Sequence, residues 1–179
     1  LTAMPPQGVL SVDFGIMTNL LEFEVGYDTL QPTGALSVGV DPNTGMPVPM
    51  PALAALQPPE GLEPTLARVL PPPIRRPTAR DAANPAELFR QNQAIADASS
   101  RAITGSGSVD SIKYGRMLRP GLPVAIRGAG RAHSGTWYVE RVAHSISTGA
   151  WTQRFQASRN ALGLTGAEIF IDPLAAAVA

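Results

Sequence analysis

Glu22 and Glu24 occupy alternate positions of the run LLEFEVGY, so an extended backbone puts both carboxylates on one face, as an acid and base pair for sugar hydrolysis would need. No neighbouring run supplies a deep apolar pocket to raise one pKa, and a solvated or lumen-facing strand edge is the plainer reading. His133 and His144 are the two imidazoles of the chain, and their spacing does not aim both at one metal. Cysteine is absent, which removes thiolate nucleophiles, thiolate metal sites and disulfides. Serine chemistry lacks its strand-to-helix elbow: GSGSV, starting at Gly105, follows a helical pattern and reads as that helix's flexible cap. The Gly128 and Gly130 pair has a dinucleotide-loop look, but a strand pattern follows it, so a tight β-turn accounts for it. Trp137, Tyr138 and Trp151 are candidates for stacking on a sugar ring, although strand alternation turns both tryptophans toward a core. Arg75, Arg76 and Arg80 form a basic patch, read as a solvated turn, then as a subunit contact, and last as a phosphate site.

The elements that must position these groups are mostly strands. From Leu118 to Asn160, three alternating runs are separated by the glycine-bearing connections RGAGRAHSG and SISTGAW, the pattern of an antiparallel meander. Val124 and Ile126 mark the first run, Trp137 and Val139 the second, and Trp151, Gln153 and Phe155 the third. The same alternation gives His144 a face shared with Tyr138, Glu140, Val142 and Ile146, where a partly buried imidazole bonded to a neighbouring strand is expected. Upstream, Val9 to Phe14, Leu20 to Tyr27 and Leu36 to Val40 read as three strands of one sheet, the second with Leu21, Phe23, Val25 and Tyr27 on a common side. Ten prolines between Pro47 and Pro77 predict an extended strap in which regular ladders do not survive, with a helical turn near Glu63 to Leu70. Its leucines at 53, 56, 62 and 66 suggest that it is strapped to something. Asn84 to Ile103 is the helix candidate, with Asn84 as cap, Glu87 completing a capping box, and a stripe of Leu88, Phe89, Ala94, Ile95, Ala98 and Ala102. Gly105 to Gly107 end it, and Val109 to Tyr114 add a short strand.

Leu118, Pro120 and Gly121, the pair Gly128 and Gly130, then Gly135, Tyr138, Val139, His144, Phe155 and Asn160 together make a pattern that resembles the late control protein D family of contractile phage tails. These are baseplate hub proteins, with relatives in phage-derived contractile injection systems. The upstream stretch NLLEFEVGYDTLQPTGALSVGVDPNTG is similar to the segment in which such hubs leave one domain and begin a strand ending in a Gly-x-Asp-Pro turn. The resemblance implies a homotrimeric ring that joins a hexameric tube to a trimeric spike. Its partners would be the central spike protein, a tail tube or tube-initiator protein and baseplate wedge proteins. The implied location is the baseplate of a virion tail or an assembled injection particle. Hubs carry a histidine at the position of His144 without a known catalytic duty.

The expected fold is mainly β: a tube-like antiparallel β-barrel or curved sheet with one packed α-helix, plus an additional partial β element and a Pro-rich strap. Boundaries are expected at 1–46 for the β element, 47–83 for the strap, 84–165 for the tube-like domain and 166–179 for a tail. Gly121, Gly128, Gly130 and Gly135 set the turns, Trp137, Val139 and Phe155 fill the core, and Pro71, Pro72, Pro73, Arg75 and Arg76 are interface candidates. Fourteen basic and fourteen acidic residues cancel, which argues against specific nucleic-acid binding and a polybasic membrane anchor. No apolar run reaches the ~18 residues of a membrane span. The chain begins at Leu1, and a preceding N-terminal part is expected. No enzyme activity and no cofactor are expected; the alternative is a carbohydrate- or peptidoglycan-binding β module associated with a cell-wall hydrolase.

Overall fold

Alternating side chains and glycine turns do produce the meander, which forms the middle of a larger sheet. A computed structural model describes residues 5–69, 71–77, 84–168 and 170. In chain order the elements are β1 (Val9–Ser11), a 3-10 turn (Gly15–Met17), β2 (Leu20–Tyr27), β3 (Gly34–Val40), β4 (Pro47–Ala52), β5 (Glu63–Pro64), α1 (Thr65–Arg68) and β6 (Ile74–Arg75). They continue with α2 (Pro85–Ser100), β7 (Ile103–Asp110), α3 (Ser111–Tyr114), β8 (Pro123–Arg127), α4 (Gly130–His133), β9 (Gly135–Ser147), β10 (Ala150–Arg159) and β11 (Ala161–Leu162).

Six strands in the order β1-β8-β9-β10-β7-β2 make the main sheet, antiparallel except for the β1–β8 pair. It curls into a half-barrel around Leu10, Leu20, Ile103, Val109, Tyr114, Leu118, Val124, Ile126, Trp137, Val139, Phe155 and Ala157. Asn19 draws the first and last strands of that order together: its side chain accepts from the Ser11 amide (2.8 Å) and donates to the Val9 carbonyl (3.1 Å), while its own carbonyl accepts from the Asp110 amide (2.8 Å). One asparagine thus stands in for a rung of ladder where the curl nearly closes. The strands expected to be neighbours near the N-terminus are not: β1 and β2 flank the main sheet, and β3 belongs to another. Residues on both sides of the expected boundaries at 46 and 84 therefore share one sheet.

The glycines expected to cap the helix instead sit inside β7, a strand flanked by β10 and β2. A Cβ at Gly105 would lie 2.8 Å from Trp137 Cζ3 and 3.0 Å from the Phe23 ring, and one at Gly107 would lie 2.9 Å from the Phe155 ring. Bare backbone is what lets three aromatic rings lie over this strand, with Phe23 edge-on to Trp137 at 5.3 Å and stacked on Phe155 at 6.2 Å. The stretch past Asp110 forms α3, capped by the Asp110 carboxylate, rather than more strand.

The second sheet is β4-β3-β6, and α2 packs on it. Here the expectation that prolines exclude a ladder fails. Pro47, Pro49 and Pro51 alternate with Val48, Met50 and Ala52, so the residues that keep their amides recur at every second position along an edge strand facing β3. Ile74 and Arg75 pair with the other side of β3, and the Gly34 amide donates to the Pro73 carbonyl at 2.8 Å. The helix runs 85–100 with Asn84 capping the Ala86 amide, and its buried face is Leu88, Asn92, Ala96 and Ser100 rather than the expected stripe; Phe89 is exposed. Arg80, Leu70 and the tail from Asp172 to Ala179 lie outside the described residues.

Candidate functional site

On the outer face of the curled sheet, strand register lines up two polar rows. Glu24, Ser106, Gln156 and Arg141 form one, and Glu22, Ser108, Arg154 and Ala143 the other, crossing β2, β7, β10 and β9 in turn. They border an open depression of about 310 Å³ that also takes in Gly107 and Phe155. The acids sit on the flanking strand β2 and the arginines on β9 and β10, with serines between them. Both carboxylates are exposed beside this open hollow, so the arrangement presents charge on the sheet's outer face.

The aromatic candidates divide. Trp137 is wholly buried, its indole N–H donating to the His133 carbonyl at 2.9 Å, and is closed to a ligand. Val139 and Phe155 are buried with it. Trp151 is half-buried beside His144, ring centroids 6.4 Å apart. His144 itself is exposed, against expectation, and its face is not the expected one, since Glu140 is an extra residue in β9: Arg141 pairs with Gln156 and Val139 with Ala157. That bulge reverses the alternation, so Val142, His144 and Ile146 share a side with Trp137 and Val139 and not with Tyr138. A second bulge in β2 makes Leu21 the extra residue; Leu20 is buried in its place and Leu21 is exposed. Among the described residues no group of three His, Asp or Glu side chains gathers in a metal-holding cluster.

The turn glycines have left-handed or otherwise positive φ: +83° at Gly121, +84° at Gly128, +82° at Gly130 and +128° at Gly135. The connection after Gly128 is not a simple β-turn, since residues 130–133 wind into α4 before β9 begins. Pro71, Pro73, Arg75 and Arg76 are exposed and Pro72 half-buried, on a segment that already lies along β3 of its own chain. Of the strap leucines, Leu66 is buried while Leu53, Leu56 and Leu62 are exposed.

Sequence reasoning missed the most connected polar group. Arg159 is fully buried at the end of β10, and its guanidinium donates to the carbonyls of Glu60 (2.8 and 3.1 Å), Ser134 (3.0 Å), Ala132 (3.4 Å) and Gly163. Gly135 leaves room for it: a Cβ there would lie 2.7 Å from a guanidinium nitrogen. Next to it Asn160 accepts from the Glu60 amide (2.8 Å) and donates to the Pro58 carbonyl (3.1 Å). The Glu60 carboxylate pairs with Arg101 at 3.1 Å, and the Arg101 guanidinium lies 4.6 Å from the Tyr138 ring centre. Burial raises the Glu60 pKa above the usual carboxylate range despite Arg101, and burial likewise lowers that of Arg159 despite the charge of Glu60. These contacts latch the proline strap to the half-barrel. The SRN triplet at the end of β10 carried the signal, but its partners lie about a hundred residues away in sequence.

The chain matches no protein-family model and no curated protein sequence. Solved structures do match it. The tail protein from Neisseria meningitidis MC58 aligns over 87% of this chain with a TM-score of 0.54 and 15% identity. The chain shares its fold with this tail protein. The 43 kDa tail protein of prophage MuSo2 from Shewanella oneidensis aligns over 89% of the chain with a TM-score of 0.62 and 7% identity. This chain spans just under half the length of each, 45% and 46%. At such identities the tail-protein likeness is one of fold.

Proposed function

We propose that this chain is a structural component of a phage-type tail, and within it a subunit of the baseplate hub. The supporting observation is the curled sheet with its helix-backed companion, which follows two tail proteins over nearly nine-tenths of the chain. In this reading three copies form a ring between a sixfold tube and a threefold spike, in the virion tail or an injection particle, with tube, spike and wedge proteins as partners. The work is mechanical: strand walls carry load and keep a passage continuous, and no substrate is turned over. The alternative, a glycan-binding module, needs exposed aromatic platforms; burial of Trp137 removes one of its two tryptophans and leaves Trp151. Light scattering of the purified chain beside a pull-down on insoluble peptidoglycan tests the proposal. Trimers that stay off the glycan are expected. A monomer retained on glycan, and released by Trp151→Ala, would replace the hub reading with the binding module.

A further inference from the structure

At the level of Glu22 and Glu24 the main sheet is four strands wide. β8 pairs with β9 as far as Tyr138, so from Arg141 to Ser147 the outer side of β9 has no ladder partner among the described residues. β2 likewise pairs with β7 on one side and with no described strand on the other. These two open edges run antiparallel, since three antiparallel pairings separate β2 from β9. They also carry opposite charge on the same face and at the same height: Glu24 shares its row with Arg141, and Glu22 shares the next with Ala143 and Arg154. Within one copy, acid and base in a row stand two or three strand spacings apart, roughly 10–14 Å from backbone to backbone. The ion pairs found among the described residues lie elsewhere, at Arg68–Glu63 and Arg101–Glu60. Exposed Leu21 and Ile146 border the same two edges.

We propose that the occupant of each edge is a second copy of this chain, added head to tail, with β2 of one copy forming an antiparallel ladder on residues 141–147 of the next. No shift of register is needed for Glu24 to stand across from Arg141 of its neighbour, one strand spacing of ~4.8 Å away, where opposite charges stabilise a sheet and like charges oppose it. The contact is heterologous, so repeated addition closes a ring or runs on, instead of stopping at a dimer. Unpaired, such edges are sites of indiscriminate strand addition; the charges give them a preferred partner. This inference rests on the ring reading above and specifies its contact.

The absence of native cysteine allows a direct test in the whole chain. Glu24→Cys and Arg141→Cys chains are mixed under mild oxidation: a cross-link in the mixture, with neither variant linking to itself, supports the proposal. Self-linking of Glu24→Cys, or an unlinked mixture, overturns it. In parallel, Arg141→Glu is expected to weaken association about fivefold to tenfold, and adding Glu24→Arg to the same chain to restore it. Failure of that restoration overturns the edge pairing even if association falls. Trimers seen by scattering without the mixed cross-link leave the hub reading standing and remove this contact, whereas a glycan-binding monomer removes both.

Discussion

Among the described residues, twelve buried side chains, Trp137, Phe155 and Tyr114 among them, form the apolar cluster of the curled sheet, whereas the cluster beneath the small sheet consists of Ala52, Leu66 and Ala96. The small unit relies on directed bonds instead. Asn92, fully buried on α2, accepts from the Ser37 hydroxyl at 2.8 Å and donates to the Met50 carbonyl at 2.6 Å, tying the helix to both long strands. Thr65 adds a bond from its hydroxyl to the Ser100 carbonyl. Apolar burial is non-directional and tolerates small adjustments, while a buried amide either meets its partners or leaves them unsatisfied. The difference teaches that one polar substitution can loosen the helix-backed sheet without touching the half-barrel, while the half-barrel fails as a whole when its aromatic centre is hollowed.

Trp137→Ala carries the largest expected effect, about 3–5 kcal/mol, because it empties the centre of the aromatic cluster and strands the His133 carbonyl. Thermal unfolding followed at both sheets should then show one lowered transition; a small sheet that melts first and alone would break the comparison. Asn92→Ala comes next at about 1–3 kcal/mol. Hydrogen exchange should quicken in α2, β3 and β4 with β8 to β10 still protected, and equal loss of protection in both regions would count against the distinction.

Glu60→Gln has the smallest effect and sharpens the boundary between the regions, where the strap is latched. Burial raises the Glu60 pKa, so between its ordinary unfolded value of 4.5 and the raised folded value the native state holds more protons than the unfolded one. Its contribution is therefore fully present below 4.5 and is lost as pH rises through the raised value. Denaturant titrations across that window should show a downward slope with pH in the native chain that flattens in Glu60→Gln. An unchanged slope would assign the pH dependence to other carboxylates.

Much of this was legible in advance. Period-two runs located β2, β3, β8, β9 and β10, and the Asn84-Pro85 pair located the start of α2. The bulges at Leu21 and Glu140 were not legible, because an extra residue is tolerated only where a neighbouring strand's register demands it. The proline strand was misread although its own spacing held the clue: prolines at 47, 49 and 51 repeat with the period of a ladder. β7 was misread as a helix cap because glycine and serine look like a loop until the rings of Trp137, Phe23 and Phe155 are seen to need the space. At the candidate site, Glu22 and Glu24 were found on one face as alternation requires, while the arginines opposite them came into view with the strand order.

Local chemistry thus determined the meander strands with their turns, β2, β3 and the start of α2, since side-chain alternation, proline and glycine act within a few residues. Strand neighbours, the face that His144 shows, the burial of Arg159 and the meeting of Asn19 with both ends of the sheet were decided by the tertiary structure. Those depend on contacts between residues far apart in the chain, and packing chooses among them by how well buried polar groups are satisfied and rings are accommodated.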